Sequence, residues 1–387
     1  MSDRTKPSIA LLAAPETSSS VLYGLYDVLL SVGAVYSDMT TGQPDESLLD
    51  VKVVARDDKP FRCFGNVLVE PHCSVDAVEK VDVAIVCDMY TAIDTPLHGR
   101  YQHEVAWLKR MHADGSILGS VCSGSLLLAE AGLLDGIECA GHWGYRDLFR
   151  EHYPKVKFRE DSILCIASED ARILTAGGVT SWQDLALHMI ARLCGAQHAI
   201  RTAKIYLLSG HLDGQLPFAV MTKRLQKNDA VIHECQGWIA QNYACANPVA
   251  TMAERPGLNS RTFARRFRSA TGYLPMDYVH ALRIEEAKQL IETESVGIDQ
   301  VGFSVGYEDP TFFRRLFKRK AGLTPAAYRR KLAGILTVGK WSTAAVPELP
   351  SLTERRTAEV SASARHFSTV KEKRSTRHPR PALARRT

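Results

Sequence analysis

Phe263-Ala264-Arg265-Arg266-Phe267, followed by Gly272, Pro275 and Tyr278, returns fifty residues later as Phe313-Arg314-Arg315-Leu316-Phe317 with Gly322, Pro325 and Tyr328. Six identities in 16 positions without a gap mark two similar units rather than a solenoid array. In each unit two phenylalanines four residues apart define one face of a helix, and that face must be buried. At about 100° per residue, Arg261, Arg265 and Arg268 fall roughly 140–200° from Phe263, on the opposite face. The same places in the second unit hold Thr311, Arg315 and Lys318. An apolar back therefore fixes each helix, while its front offers cations and hydrogen-bond donors. A single basic helix would be an ordinary solvated surface; a duplicate at equal register is not required by solubility.

Upstream of each basic helix the pattern shows a shorter helix ending at a glycine. These are Val249 to Arg255 before Gly257, and Ile298 to Val305 before Gly306. Helix, glycine turn, basic helix is the helix-turn-helix arrangement, whose second helix enters the DNA major groove. Met276 to Ile291 reads as an amphipathic connector with Tyr278, Val279, Leu282 and Leu290 on its buried side. Side chains near the N-terminal ends of the reading helices are expected to meet base edges: Arg261, Arg265, Thr311 and Arg315. Thr262 is a further DNA-binding candidate. Arg268, Arg314 and Lys318 are expected to hold phosphates, which positions the protein without specifying sequence. Pro256 disfavours helical geometry at Arg255 and is expected to tilt the first reading helix.

Residues 229–332 resemble the DNA-binding domain of AraC/XylS-type transcription regulators. The resemblance is carried by Met252-Ala253, Gly257-Leu258, Ser260 to Phe267, Thr271-Gly272 with Pro275, and Leu282-Arg283 with Ala287. It continues through Val301-Gly302-Phe303, Gly306-Tyr307, Phe313 to Lys318, Gly322 to Pro325 and Tyr328-Arg329.

The front half has a different rhythm. Short apolar runs at Ile9–Ala14, Val51–Ala55, Val67–Val69, Val81–Cys87 and Ile117–Val121 alternate with helical patterns such as Val21–Val32 and Tyr101–Met111. Such alternation predicts a mostly parallel sheet with helices on both faces, a flavodoxin-like α/β domain. The chain is thus expected to be multidomain, with this α/β unit followed by an all-α double helix-turn-helix unit. No G-x-G-x-x-G follows the first strand and no Walker sequence occurs, so no nucleotide cofactor is indicated.

In Gly119-Ser120-Val121-Cys122-Ser123-Gly124-Ser125, a buried strand ends at Val121 and a helix starts at Ser123. Cys122 lies on the corner between them, where exposed N–H groups and the helix dipole are expected to lower its pKa. The alternative is a small residue filling a tight bend. A nucleophile needs a base, and His142, in Gly141-His142-Trp143-Gly144, is a candidate twenty residues on.

With Ala129 to Gly136 and Thr175-Ala176-Gly177-Gly178, these residues resemble the ThiJ/PfpI branch of the class I glutamine-amidotransferase-like fold. Active members of that branch carry a histidine directly after the elbow cysteine, whereas this chain has Ser123. They also carry an acidic residue after the first strand that supports the thiolate, for which Glu16 is the local candidate. The pairing of the two halves resembles the GlxA-type subfamily of regulators. That resemblance implies a non-catalytic front domain that senses a small metabolite and contributes to a homodimer, with promoter DNA bound by the back domain. The carboxyl-end crevice of the sheet is where an effector is expected, near Cys122, His142, Trp143 and Trp182. Aromatic residues there suit a cationic or amphipathic metabolite. The competing class is a cysteine-dependent amidohydrolase or glyoxalase-like enzyme tethered to DNA, and a third is a redox switch at Cys122, which requires an exposed thiolate.

Composition agrees with this division. The 387 residues, 24% charged and 45% hydrophobic, carry a net charge of +5, but residues 1–228 are acidic at −6 and residues 229–332 carry +4. Residues 352–387 add +7. A polyanion partner at the back is the natural reading, with nucleic acid ahead of an anionic membrane surface. The most apolar stretch, Ser116–Leu134, is broken by serines and Glu130, and the run Ile9–Ala14 is too short for a secretory signal, so a cytoplasmic protein is expected. Nine scattered cysteines without a C-x-x-C pair point to reduced thiols, not to disulfides or zinc. The expected organisation is a sensor at 7–198, a linker at 199–228, the DNA-binding domain at 229–332 and a disordered basic tail at 343–387.

Overall fold

A computed structural model describes residues 6–43, 45–166, 170–221 and 229–337, with side chains as far as 333. The expected tail at 343–387 lies outside the described residues. The chain divides into two compact units, residues 1–220 and 221–387.

The first unit holds eleven strands among the described residues: β1 (Ser8–Leu12), β2 (Asp50–Ala55), β3 (Phe61–Arg62), β4 (Leu68–Val69), β5 (Cys73–Ser74), β6 (Val83–Val86), β7 (Ile117–Val121), β8 (Glu138–Ala140), β9 (Lys157–Arg159), β10 (Leu164–Ile166) and β11 (Ile173–Ala176). Seven form one sheet in the order β10-β11-β7-β6-β1-β2-β5. All its pairings are parallel except β10 with β11. The Val67–Val69 run, expected within this succession, instead forms the separate antiparallel pair β3–β4. The five residues between Arg62 and Leu68 leave no room for a crossover helix, so this run folds back on its neighbour.

Period-two alternation divides the core. On β1, Ile9 and Leu11 join Val21, Leu25, Met189 and Ile190 from helices Ser19–Leu30 and Trp182–Cys194 on one face. Ala10 and Leu12 join Trp107, Leu108 and Met111 of helix Gln102–Ala113 on the other. Strand order reverses between β1 and β6, and a crevice opens at such a point beyond the carboxyl ends of the strands. All nine cysteines are free, and no single helix among the described residues is long and apolar enough to cross a membrane.

The expected linker requires correction. Residues 199–220 are folded within the first unit, beginning with helix Ala196–Tyr206, whose Ala199 and Thr202 are buried. Ala199, Thr202, Gln215 and Pro217 are packed inward there, while Ile200, Leu207, Leu212, Phe218 and Val220 stay exposed.

In the second unit, helices Pro248–Glu254 and Ser260–Thr271 form one helix-turn-helix, and Ile298–Ser304 and Pro310–Ala321 form the other. Phe263 and Phe267 sit in one core, Phe313 and Phe317 in a second. Helix Pro275–Thr293 contributes Tyr278, Val279 and Leu282 to the first core and Ile284, Ala287 and Ile291 to the second. Leu290, expected at its buried side, is partly buried in the second. The expectation at Pro256 is not met. Arg255 keeps right-handed helical dihedrals, φ −55° and ψ −47°, and its N–H still bonds the Thr251 carbonyl at 3.3 Å, so the packing of the helix end outweighs the steric preference that the proline imposes.

Arg283 crosses between the two cores. Its guanidinium donates to the carbonyls of Tyr243 at 2.7 Å, Cys245 at 3.0 Å and Gly306 at 2.6 Å, and it lies over the Tyr307 ring. Burial pushes its pKa down, and the three carbonyls compensate the buried cation. Arg283→Met leaves three acceptors without donors at about 1–3 kcal/mol each. Chemical denaturation is expected to show a stability loss of at least about 2 kcal/mol for this variant, whereas Arg268→Met, on the exposed face, leaves the midpoint unchanged.

Candidate functional site

The two reading helices are built alike. Asn259 caps the first by accepting from the Thr262 N–H at 2.9 Å, and Asp309 caps the second by accepting from the Thr311 N–H at 2.8 Å. Gly272 and Gly322, at φ 77° and 74°, end the two helices in the left-handed conformation that glycine adopts without strain. Twelve residues separate start from stop in both cases. With both phenylalanine faces buried, Arg261, Arg265 and Arg268 are exposed on the first helix, and Thr311, Arg314, Arg315 and Lys318 on the second. Thr262 is half-buried.

The cations differ in what else they touch. Arg314 is paired with Asp299, and Arg315 lies over the Phe312 ring at 5.7 Å, which orients its guanidinium along the helix surface. Arg266 forms a two-pronged pair with Asp229 at 2.7 and 2.9 Å, fastening the first reading helix to the start of helix Ala230–Asn242.

In the first unit, β7 ends at Val121, and Cys122 turns the corner at φ 57°, a left-handed conformation that strains a non-glycine residue. The corner is a 3-10 turn over Cys122–Gly124 followed by helix Ser125–Glu130. The elbow geometry matches the sequence reading, but its electrostatics do not. Cys122 is only 5% exposed, and burial, with the Asp88 carboxylate nearby, pushes its thiol up to about 12. The expected depression fails on magnitude. A short helix terminus supplies at most about 2 kcal/mol, or one and a half pKa units, while complete burial moves a pKa by about 3–5 units.

Ser123 explains why no histidine stands after the elbow. Its hydroxyl donates to the Met89 carbonyl at 2.5 Å and accepts from the Met89 N–H at 2.9 Å, which locks the chain beyond β6 to the elbow. The acid facing Cys122 is Asp88, 3% exposed, which accepts from the Ser18 N–H at 3.1 Å and hydroxyl at 2.5 Å. Burial raises the Asp88 pKa. Glu16, the residue expected in this place, is instead bound to Arg100 at 3.1 Å and to the Tyr101 hydroxyl.

His142 stacks on Trp143 with ring centroids 4.6 Å apart, and its Nδ1 accepts from the Gly144 N–H at 3.1 Å. Burial lowers its pKa, so the imidazole is neutral near pH 7. Tyr145, close enough to Cys122 to feel its charge, donates to the Thr91 carbonyl at 2.7 Å. Trp182 is engaged elsewhere: its indole packs over Gly24, where a Cβ would come within 2.7 Å, and seals two helices on one face of the sheet. Of the four residues expected around an effector, His142 and Trp143 are in direct contact, Cys122 lies beneath them through Tyr145, and Trp182 joins the helix contact.

Sequence reasoning missed Asp88, Tyr145 and Gln215. The first two carried signals, since Asp88 follows an apolar strand at its carboxyl end and Tyr145 stands one turn after His142. Gln215 carried none.

A model of the DJ-1/PfpI family matches residues 10–192, and a helix-turn-helix domain model matches residues 252–331. The chain therefore carries a region that matches the DJ-1/PfpI family, followed by a C-terminal helix-turn-helix domain. It is similar to the HTH-type transcriptional regulator CdhR of Pseudomonas aeruginosa, 27% identical over 282 residues, which cover 72% of this chain and 81% of that protein. It is similar also to the HTH-type transcriptional regulator GlxA of Rhizobium meliloti, 27% identical over 58% of this chain and 68% of that one. A solved AraC family regulator from Pseudomonas putida aligns with 52% of this chain and 99% of its own length at 19% identity and a TM-score of 0.42.

The Cys122 thiol stabilises the fold in its neutral form. A group whose pKa is raised on folding contributes fully below its unfolded value and loses that contribution as pH rises toward the folded one. Unfolding free energy is therefore expected to fall from about pH 9 upward, and Cys122→Ala to flatten that fall. Thiol labelling of the native protein at pH 7.5 with a charged disulfide reagent, read by mass spectrometry, should leave Cys122 unmodified.

Proposed function

We propose that this protein is a ligand-responsive transcription regulator that binds promoter DNA through its two helix-turn-helix units and has no catalytic activity. The carrying observation is the pair of reading helices with the same length, the same type of N-cap, the same glycine stop and the same buried phenylalanine pair, which leaves cations on equivalent faces. Arg261, Arg265, Thr311 and Arg315 stand nearest the helix N-termini and read base edges, with arginine able to hold guanine by two hydrogen bonds. Thr262 supports the first helix start through its backbone. Arg268 and Lys318 hold phosphates, and Arg314 does so on exchanging Asp299 for DNA.

The front domain acts as the sensor, with the effector at the crevice beside His142 and Trp143. Absence of catalysis is supported by the protonated, buried Cys122 and by the use of Ser123 as a structural clamp. The same burial speaks against an oxidation switch at that thiol, which needs an exposed thiolate. A homodimer in the cytoplasm, acting on double-stranded promoter DNA, completes the reading.

The test is binding to DNA upstream of its own and neighbouring genes, titrated with salt and unlabelled competitor. A protected site that resists competitor is expected. Arg265→Ala with Arg315→Ala should weaken it by at least about tenfold and relax base preference, since each two-pronged guanine contact is worth about 1–3 kcal/mol. Lys318→Ala should weaken all sequences evenly and reduce the salt slope by about one. Unchanged binding by the double variant would overturn the assignment.

A further inference from the structure

After helix Ala196–Tyr206 the chain turns at Leu207, in left-handed conformation at φ 53°, and runs as a strap through residues 207–220. His211 and Gln215 are among the residues that fasten it. His211 meets Asp184 twice, with Nδ1 2.7 Å from one carboxylate oxygen and its backbone N–H donating to the other at 3.1 Å; its Nε2 lies 3.3 Å from the Thr180 hydroxyl. Gln215, 3% exposed, sends its amide nitrogen to the carbonyls of Gly141 at 2.9 Å and Ser162 at 2.7 Å. Its amide oxygen accepts from the Gly178 N–H at 2.8 Å. Both N–H donors of the carboxamide are thus used and its oxygen is bonded, and all three partners are backbone groups, of which the Gly141 carbonyl is buried.

The surroundings are shaped to this side chain. A Cβ on Gly177 would come within 2.5 Å of the Gln215 amide, and a Cβ on Gly214 within 2.5 Å of the Asp161 carbonyl, at a position with φ 71°. Neither glycine has room to be anything else. Gly178 is held between Gln215 on one side and His142 on the other, a Cβ there lying 3.4 Å from the Gln215 oxygen and 3.5 Å from the imidazole. Gly178 therefore stands between the two, with its N–H on Gln215 and the imidazole of His142 on its other side. Beyond Val220 the chain passes into the second unit.

We propose that the strap is a latch: Gln215 holds it closed at the crevice mouth, and release of this carboxamide is how occupation of the crevice alters DNA binding. The inference rests on the regulator reading above. A fully satisfied buried amide gives a defined closed state, and its loss removes three hydrogen bonds at once, leaving the Gln215 N–H on the Asp161 carbonyl at 3.2 Å as a weaker hold. His211 and Asp184 keep the root of the strap attached, so opening is local rather than an unfolding of the domain.

The test uses the full chain in two variants. Gln215→Glu puts a carboxylate against the carbonyls of Gly141 and Ser162, and Gly177→Ala expels the amide while leaving Gln215 in the chain. Hydrogen exchange of the 207–220 amides and affinity for the protected promoter site are measured for each against wild type. Expected are at least tenfold faster exchange confined to the strap and its contacts, and at least a fivefold change in affinity. Faster exchange with unchanged affinity overturns the latch, as does altered affinity with an unaltered strap. If one variant fails to fold, the other decides by the same two readings. If wild type itself shows no competitor-resistant site, the regulator reading fails and the latch falls with it; if wild type binds and the variants match it, the latch alone fails.

Discussion

Burial of four phenylalanine rings governs the DNA-facing unit. Each ring is worth roughly 1.5–3 kcal/mol when removed from water, and Phe263, Phe267, Phe313 and Phe317 are all fully buried. Two anchors per helix, one turn apart, fix its rotation about its own axis. Once that rotation is fixed, the direction in which Arg265 and Arg315 point follows from the helical repeat alone. The charged faces are therefore a consequence of packing, and no specific polar contact is needed to aim them.

The front unit shows the opposite relation between geometry and chemistry. It keeps the elbow of a nucleophile, including a strained cysteine at the end of a parallel strand, but places it where water does not reach. Burial outweighs the helix terminus, and Asp88 adds to the cost of a thiolate. Ser123 ties the elbow to Met89 instead of offering a base. The elbow is thereby held rigid and dry, while the stacked His142 and Trp143 lie beyond it on the partly exposed side.

Local patterns made much of this legible. The fifty-residue repeat located both reading helices and both turn glycines, because helix periodicity and glycine stops are written in neighbouring residues. Alternating apolar runs located β1, β2, β6 and β7. What escaped was whatever depends on distant chain meeting by topology. Asp88 binds Ser18 across the reversal of strand order, and Gln215 reaches Gly178, Ser162 and Gly141 from 37, 53 and 74 residues away along the chain. The Cys122 thiol was misjudged because sequence shows which residue occupies a corner but not how deeply the corner is covered. Pro256 was misjudged for a smaller reason, since the preference that a proline imposes on the residue before it is weak enough for the helix end to override at Arg255.

The duplication in the second unit is not symmetrical at Arg283. Fifty residues on, the matching place holds Ala333, so only the first module has this clamp, and one of its three carbonyls belongs to Gly306 in the second. During synthesis the ribosome releases Tyr243 and Cys245 long before Gly306. The loop that closes the first module thus waits, incompletely bonded, for a turn that has yet to emerge. The two copies are repeats in sequence, but in assembly they form an ordered pair in which the later copy completes the earlier one.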